Sequence, residues 1–225
     1  MDKSFYTARL DEVIQKIEDA RRGVSEHHIV KLVAVSKYSE ASEVEALYNA
    51  GQRAFAENKV QDLITKSEAL DALPLSWHFV GRLQKNKINH LIEASPTLLQ
   101  SLDSLELAQA LNQRLEAKET TMDALLQINS SAEASKQGIE PENAIKLYER
   151  VQNEMANIRL KGVMTIGAHS EDRSKIEKSF ATTYEIFEKL QPNGAKICSM
   201  GMSGDFELAI KNGSNMVRLG SILFK

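Results

Sequence analysis

Val30-Lys31-Leu32-Val33-Ala34-Val35-Ser36-Lys37 is a short, bounded apolar run with β-branched Val33 and Val35 at its centre. A run of that length and composition reads as a buried strand. Similar segments recur at 53–58, 76–81, 98–103, 123–130, 159–166, 196–201 and 215–220. Between them the apolar residues fall at helical spacing: Val44/Leu47/Tyr48, Val60/Leu63/Ile64, Ile88/Leu91/Ile92 and Leu107/Ala108/Leu111/Leu115. The series continues with Ile145/Leu147/Tyr148/Val151, Ile176/Phe180/Tyr184/Phe187 and Phe206/Leu208/Ala209, and a further pattern, Leu10/Val13/Ile14/Ile17, precedes the first strand.

Strands that alternate with helices must be parallel, because each helix carries the chain back to the edge where the next strand starts. Eight such units favour an α/β fold of the closed, TIM-like (β/α)8 type over an open doubly wound sheet. No Gly-x-Gly-x-x-Gly fingerprint follows a strand to support a Rossmann arrangement. The N-terminal helix then takes the place of the helix missing after strand eight. No linker or low-complexity stretch divides the chain, so residues 1–225 are expected to form a single barrel domain.

Composition bounds the function classes. Hydrophobic residues at 42% and charged residues at 26% are ordinary globular values. A net charge of −3 gives no broad basic field for nucleic acid or an anionic membrane. The single cysteine, Cys198, excludes an internal disulfide and a multi-thiolate metal site, and it is expected to be buried and inert. No apolar stretch approaches the roughly 20 residues of a membrane span, and the first residues lack a signal-peptide core. The expectation is a cytoplasmic protein with no metal site.

In a barrel the chemistry sits at the carboxyl ends of the strands. Strand one delivers Ser36 and Lys37, strand two Glu57 and Asn58, and strand eight Arg218 followed by Gly220-Ser221. Strand seven leads into Met202-Ser203-Gly204-Asp205. The loops after strands seven and eight are where such barrels hold phosphate, with glycine admitting close approach and hydroxyls adding donors. An amine at strand one with a phosphate site at strands seven and eight leaves two options. One is a lysine that condenses with a phosphorylated sugar; the other is a lysine that holds pyridoxal 5′-phosphate (PLP). Arg218 bears on the choice, since a cation beside a pyridine nitrogen disfavours its protonation. Aldolase chemistry instead wants carboxylates and a second lysine, and Glu57 is the obvious acid on this face.

Six stretches carry a resemblance. They are Val33–Lys37, Glu57-Asn58-Lys59-Val60-Gln61, the segment Trp77–Lys87, Gly162–Gly167, Ser199–Ser203 and Val217–Ser221. In order and spacing they resemble the YggS-like PLP homeostasis proteins, whose fold is the alanine-racemase N-terminal barrel. The resemblance implies that Lys37 forms a Schiff base with PLP. It implies Asn58 near the ring, Arg218 by the pyridine nitrogen, Ser203, Gly220 and Ser221 on the phosphate, and Met202 packed on the ring. Ala56, Ser131-Ala132-Glu133 and Phe224-Lys225 depart from the family pattern, and none is expected to touch those groups.

Racemising an amino acid needs a base on each face of the planar carbanion, and in alanine racemases the second comes from another domain and a partner subunit. This chain stops within a few residues of strand eight, at Ile222-Leu223-Phe224-Lys225, so that domain is expected to be absent. His78 and His169 are substitutes only in name, since a lone histidine is more often a packing residue. The expectation is a monomeric carrier that passes PLP to PLP-dependent apoenzymes, with a low-activity racemase as the alternative. Arg82, Lys85 and Lys87 read as a solvated helix start, and Glu133 to Pro141 as a polar surface loop able to act as a flap.

Overall fold

The computed structural model describes residues 3–131 and 137–225. Its strands are β1 (Lys31–Val35), β2 (Ala54–Glu57), β3 (Ser76–Phe79), β4 (Leu98–Leu102), β5 (Met122–Ile128), β6 (Ile158–Thr165), β7 (Ile197–Ser199) and β8 (Met216–Leu219). Each pairs in parallel with its sequence neighbours, and β1 pairs with β8 to close the barrel in the order β1 to β8. At the seam Ala34 lies opposite Phe55 on one side and Leu219 on the other. The expected eight-stranded barrel is therefore the observed one. The strands are mostly shorter than the sequence suggests, because pairing ends where neighbours diverge into loops. Ser36 and Lys37 consequently lie just beyond β1 rather than within it.

The helices are α1 (Lys3–Arg22), α2 (Ala41–Ala50), α3 (Val60–Ala69), α4 (Ile88–Ala94), α5 (Leu105–Ala117), α6 (Pro141–Glu154), α7 (Arg173–Leu190), α8 (Phe206–Lys211) and α9 (Ser221–Phe224). Local chemistry starts several of them. Ser104 caps α5 by accepting from Leu107 N–H, Asp172 caps α7 by accepting from Ser174 N–H, and Pro141 begins α6 where its missing N–H costs nothing.

The barrel has two apolar layers, separated by the alternation of strand side chains. Val33, Ala54, Ala56, Leu98, Leu125, Met164 and Met216 fill the interior. A larger layer between sheet and helices includes Phe55, Phe79, Leu63, Leu91, Leu111, Tyr148 and Phe180. Leu63, Leu91 and Leu111 are fully buried, each contributing roughly 1.5–3 kcal/mol by leaving water.

Helix α1 packs against α2, α8 and α9, which is the gap in the helical ring that the missing helix would leave. Its buried stripe is Tyr6, Leu10, Val13, Ile17 and Ala20. Ile14, expected in that stripe, is 44% exposed. At about 100° per residue it lies roughly 80° from the stripe's centre, and Tyr6 and Ala20 complete the face instead. The Tyr6 hydroxyl donates to Glu43 on α2 (3.2 Å), and its ring meets the Phe224 ring edge-on. No helix among the described residues is long and apolar enough to cross a membrane.

Candidate functional site

In a strand–loop–helix repeat every helix begins at the carboxyl end of the preceding strand. The positive ends of the helix dipoles therefore share one face with the loops. A cleft of about 580 Å³ opens there, inside the range of small-molecule sites. Lys37, Asn58, Met202, Ser203, Arg218, Gly220 and Ser221 all line it, so one cavity brings together the seven residues that the resemblance assigns to PLP.

Lys37 stands in the loop between β1 and α2, with its ammonium 5.0 Å from the centroid of the Tyr38 ring. That distance is within cation–π range. The residue before it is held from several directions. Ser36 N–H donates to Ala56 O (3.0 Å), Ser36 Oγ donates to Glu57 Oε1 (2.7 Å), and Ser36 O accepts from Ser39 N–H (2.9 Å) and from Lys66 Nζ (2.6 Å).

Arg218 points into the barrel from β8 and is 4% exposed. Its guanidinium donates to Ser199 Oγ and to Thr165 O, both at 2.8 Å. Burial pushes its pKa down to about 10, opposed by the nearby Asp205 carboxylate, so it remains a cation at neutral pH. From Ser199 a polar chain crosses the interior. Ser199 Oγ donates to Gln100 Oε1 (2.7 Å), and the Gln100 amide lies 2.8 Å from His78 Nδ1. Burial, with Lys31 adding to it, pushes the His78 pKa down to about 3, which keeps the ring neutral. A neutral ring accepting at Nδ1 carries its proton on Nε2, 3.4 Å from Ser76 Oγ.

The loops after β7 and β8 are tied together where Gly220 N–H donates to Ser203 Oγ (3.3 Å). Asp205 Oδ1 accepts from Met202 N–H, and Met202 O accepts from the N–H groups of Asp205 and Phe206, which folds this turn tightly. Among the described residues the N–H groups of Ser203, Gly204 and Ser221 have no protein acceptor. Gly201, at φ +95°, sits where a Cβ would lie 2.7 Å from the Ala209 side chain. Gly81 packs so closely that a Cβ would lie 1.8 Å from Asn58 O, and this contact holds Asn58 at the cleft wall.

Other residues marked in the sequence lie away from the cleft. Glu57 is fully buried but turned outward, away from the cleft, where it pairs with Lys66 of α3 at 2.6 Å. Strand alternation explains this, since Ala54 and Ala56 take the interior and Phe55 and Glu57 face the helices. His78 lies inside the barrel and His169 is exposed on its loop; neither lines the cleft. Cys198 is buried, and burial raises its thiol pKa far above the usual range. Lys85 and Lys87 form an exposed turn, while Arg82 reaches across to Gln137, whose oxygen accepts from its Nε at 2.7 Å. Of the polar loop from Glu133 to Pro141, residues 133–136 lie outside the described residues.

The cleft also contains Ile166, just beyond β6, and four residues that strand-end position does not mark: Tyr38, Glu43, Phe224 and Lys225. Tyr38 and Ile166 are exposed apolar residues at its rim, and Glu43 comes from α2. Only the solvent exposure of an aromatic beside a functional lysine would have signalled Tyr38.

Residues 8–225 match the family model described as alanine racemase, N-terminal domain. The chain is 50% identical over 220 residues to a Helicobacter pylori pyridoxal phosphate homeostasis protein, covering 98% of each. Among solved structures, PipY of Synechococcus elongatus with PLP bound superposes with a TM-score of 0.83 at 28% identity, covering 98% of this chain and all of that one. Clostridium difficile alanine racemase shares the fold (TM-score 0.73, 19% identity); the match covers 93% of this chain and 58% of that one.

Proposed function

The chain belongs to the alanine racemase N-terminal-domain family, among the pyridoxal phosphate homeostasis proteins, and from that premise we propose that it binds PLP and serves intracellular PLP homeostasis. One observation carries the reading. A single cleft gathers the Lys37 amine, one buried guanidinium, and a cradle of hydroxyls and N–H groups without protein acceptors among the described residues. That donor set matches a molecule bearing an aldehyde, a ring nitrogen and a phosphate. When bound, PLP supplies an aldehyde that condenses reversibly with amines.

The chain's own residues divide the task. Lys37 offers the amine from the open side of the cleft. Ser203 and Ser221 present donors to the phosphate and Gly220 lets the backbone approach it, helped by the start of α9, where backbone N–H groups lack intrahelical partners. Arg218 places a fixed positive charge by the ring nitrogen and disfavours a proton there. Asn58 lines one wall, and Met202, 40% exposed, lies over the opening. A cation in that place weakens the ring as an electron sink, which suits holding PLP rather than using it. We read the whole chain as one such barrel, a monomeric cytoplasmic carrier that yields PLP to apoenzymes and not a racemase.

The experiment is titration of apoprotein with PLP. An absorbance band near ~420 nm is expected, with Lys37→Ala abolishing it. A wild-type protein that takes up no PLP, or a Lys37→Ala variant that keeps the band, removes the reading. Rapid Cα deuterium exchange of L- or D-alanine by the loaded protein would overturn the carrier role in favour of racemase activity.

A further inference from the structure

On the far side of β2 from the cleft, Glu57, Lys66 and Ser36 form a knot that none of the roles above uses. Lys66 Nζ donates to Glu57 Oε1 and to Ser36 O, each at 2.6 Å, and Ser36 Oγ donates to the same Glu57 oxygen at 2.7 Å. The side chains of Lys66 and Glu57 are 12% and 0% exposed. The other carboxylate oxygen, Glu57 Oε2, is buried with no partner among the described residues.

Such a pair is a poor device for stability. Removing two charges from water costs several kcal/mol per ion, and the attraction repays it only when every lone pair is satisfied. Here one oxygen is not. What the knot supplies is direction. It ties three elements at one point: α3 through Lys66, the end of β2 through Glu57, and the turn after β1 through Ser36. Ser36 is the residue before Lys37, and its carbonyl, held by Lys66, belongs to the peptide unit that carries the Lys37 N–H. Freed from it, the Ser36–Ser39 turn would keep only its backbone bonds to Ala56 and within the turn.

We propose that Lys66 is a positioning residue: through Glu57 and Ser36 it fixes the turn that aims the Lys37 amine into the cleft. The inference rests on the reading that Lys37 is the PLP tether. The step it assists joins Lys37 Nζ to the aldehyde carbon and releases one water.

The test compares two ligands on the full-length apoprotein. PLP can link to Lys37; 4′-deoxypyridoxine 5′-phosphate has the same ring and phosphate but no aldehyde. In Glu57→Leu/Lys66→Met, an apolar pair of similar size, PLP linkage is expected to slow about tenfold, the scale on which misplaced reacting groups lose rate. Binding of the deoxy compound is expected to stay within about twofold, because the phosphate and ring contacts are untouched. Ser36→Ala removes one tie with little risk to folding and is expected to slow linkage by about threefold. Unchanged linkage rates in either folded variant overturn the proposal, as does equal loss for both ligands, which would mark a merely structural role. A wild-type protein that fails to link PLP at all sinks the underlying reading instead.

Discussion

The two mouths of the barrel are both cavities lined with cations, yet they differ in kind. The carboxyl-end cleft has loops, glycines and helix starts, and its cations are single groups set at intervals: Lys37, Arg218 and Lys225. The amino-end cavity, about 420 Å³, is lined by Lys31, Lys161 and Lys196 with Asp123 among them. Asp123 is already engaged by Arg159 at 2.6 Å and by Lys161 at 3.5 Å. Helix dipoles explain the contrast. Their positive ends meet at the first mouth and favour an anion, whereas their negative ends lie toward the second, where lysines offset them. On the proposed function, similar charge serves a ligand at one end and the scaffold at the other.

The largest test of that contrast is Arg218→Leu against Lys31→Leu. The arginine variant leaves Ser199 Oγ and Thr165 O without their buried donor. Each orphaned group costs about 1–3 kcal/mol, so a loss of roughly 2–6 kcal/mol is expected in urea unfolding, together with weaker PLP retention. The lysine variant, at the other mouth, is expected to stay within about 0.5 kcal/mol and to bind PLP as the parent does. Comparable losses in both would erase the distinction between the two ends.

The polar chain that spans the barrel sharpens the comparison through pH. His78 has a pKa of about 3 in the folded protein against an ordinary 6.5. Between those values the unfolded chain binds a proton that the folded one refuses, so stability is unaffected above pH 6.5 and falls as pH drops toward 3. By pH 5 the loss from this residue is about 2 kcal/mol. His78→Gln is expected to remove that slope from the pH dependence of unfolding midpoints. An unchanged slope would mean that His78 is charged in the folded state.

What could be read in advance follows the range of the interaction. Strand runs, helical spacing and strand-end residues are local, so the barrel and the seven cleft residues were legible. Glu57 shows where this stopped. Its position at a strand end is plain, but its side depends on the alternation of Ala54/Ala56 against Phe55/Glu57, which turns it toward the helices. Lys66 was beyond reach, because its partners arrive from two other strands and nothing within α3 marks it. The Arg218–Ser199–Gln100–His78 chain joins four separate strands, which no spacing in the sequence encodes.

The smallest expected effect tests the phosphate cradle itself. Ser203 Oγ accepts from Gly220 N–H and so spends one lone pair on joining the two loops. Its own proton remains for a ligand. Ser203→Ala removes both, and at this water-accessible edge a hydrogen bond is worth about 0.5–1.5 kcal/mol net, so PLP affinity is expected to fall roughly twofold to tenfold. Stability changes less, since the Gly220 N–H lies at the cleft edge, where water can replace the hydroxyl. The contrasting control is the amino-end triple variant Lys31→Ala/Lys161→Ala/Lys196→Ala, which removes far more positive charge but from the wrong mouth. If phosphate recognition depends on directed donors at the loops, the single serine lowers affinity and the three lysines do not. If it depends on the overall field of the barrel, the triple variant has the larger effect, and equilibrium dialysis against PLP separates the two.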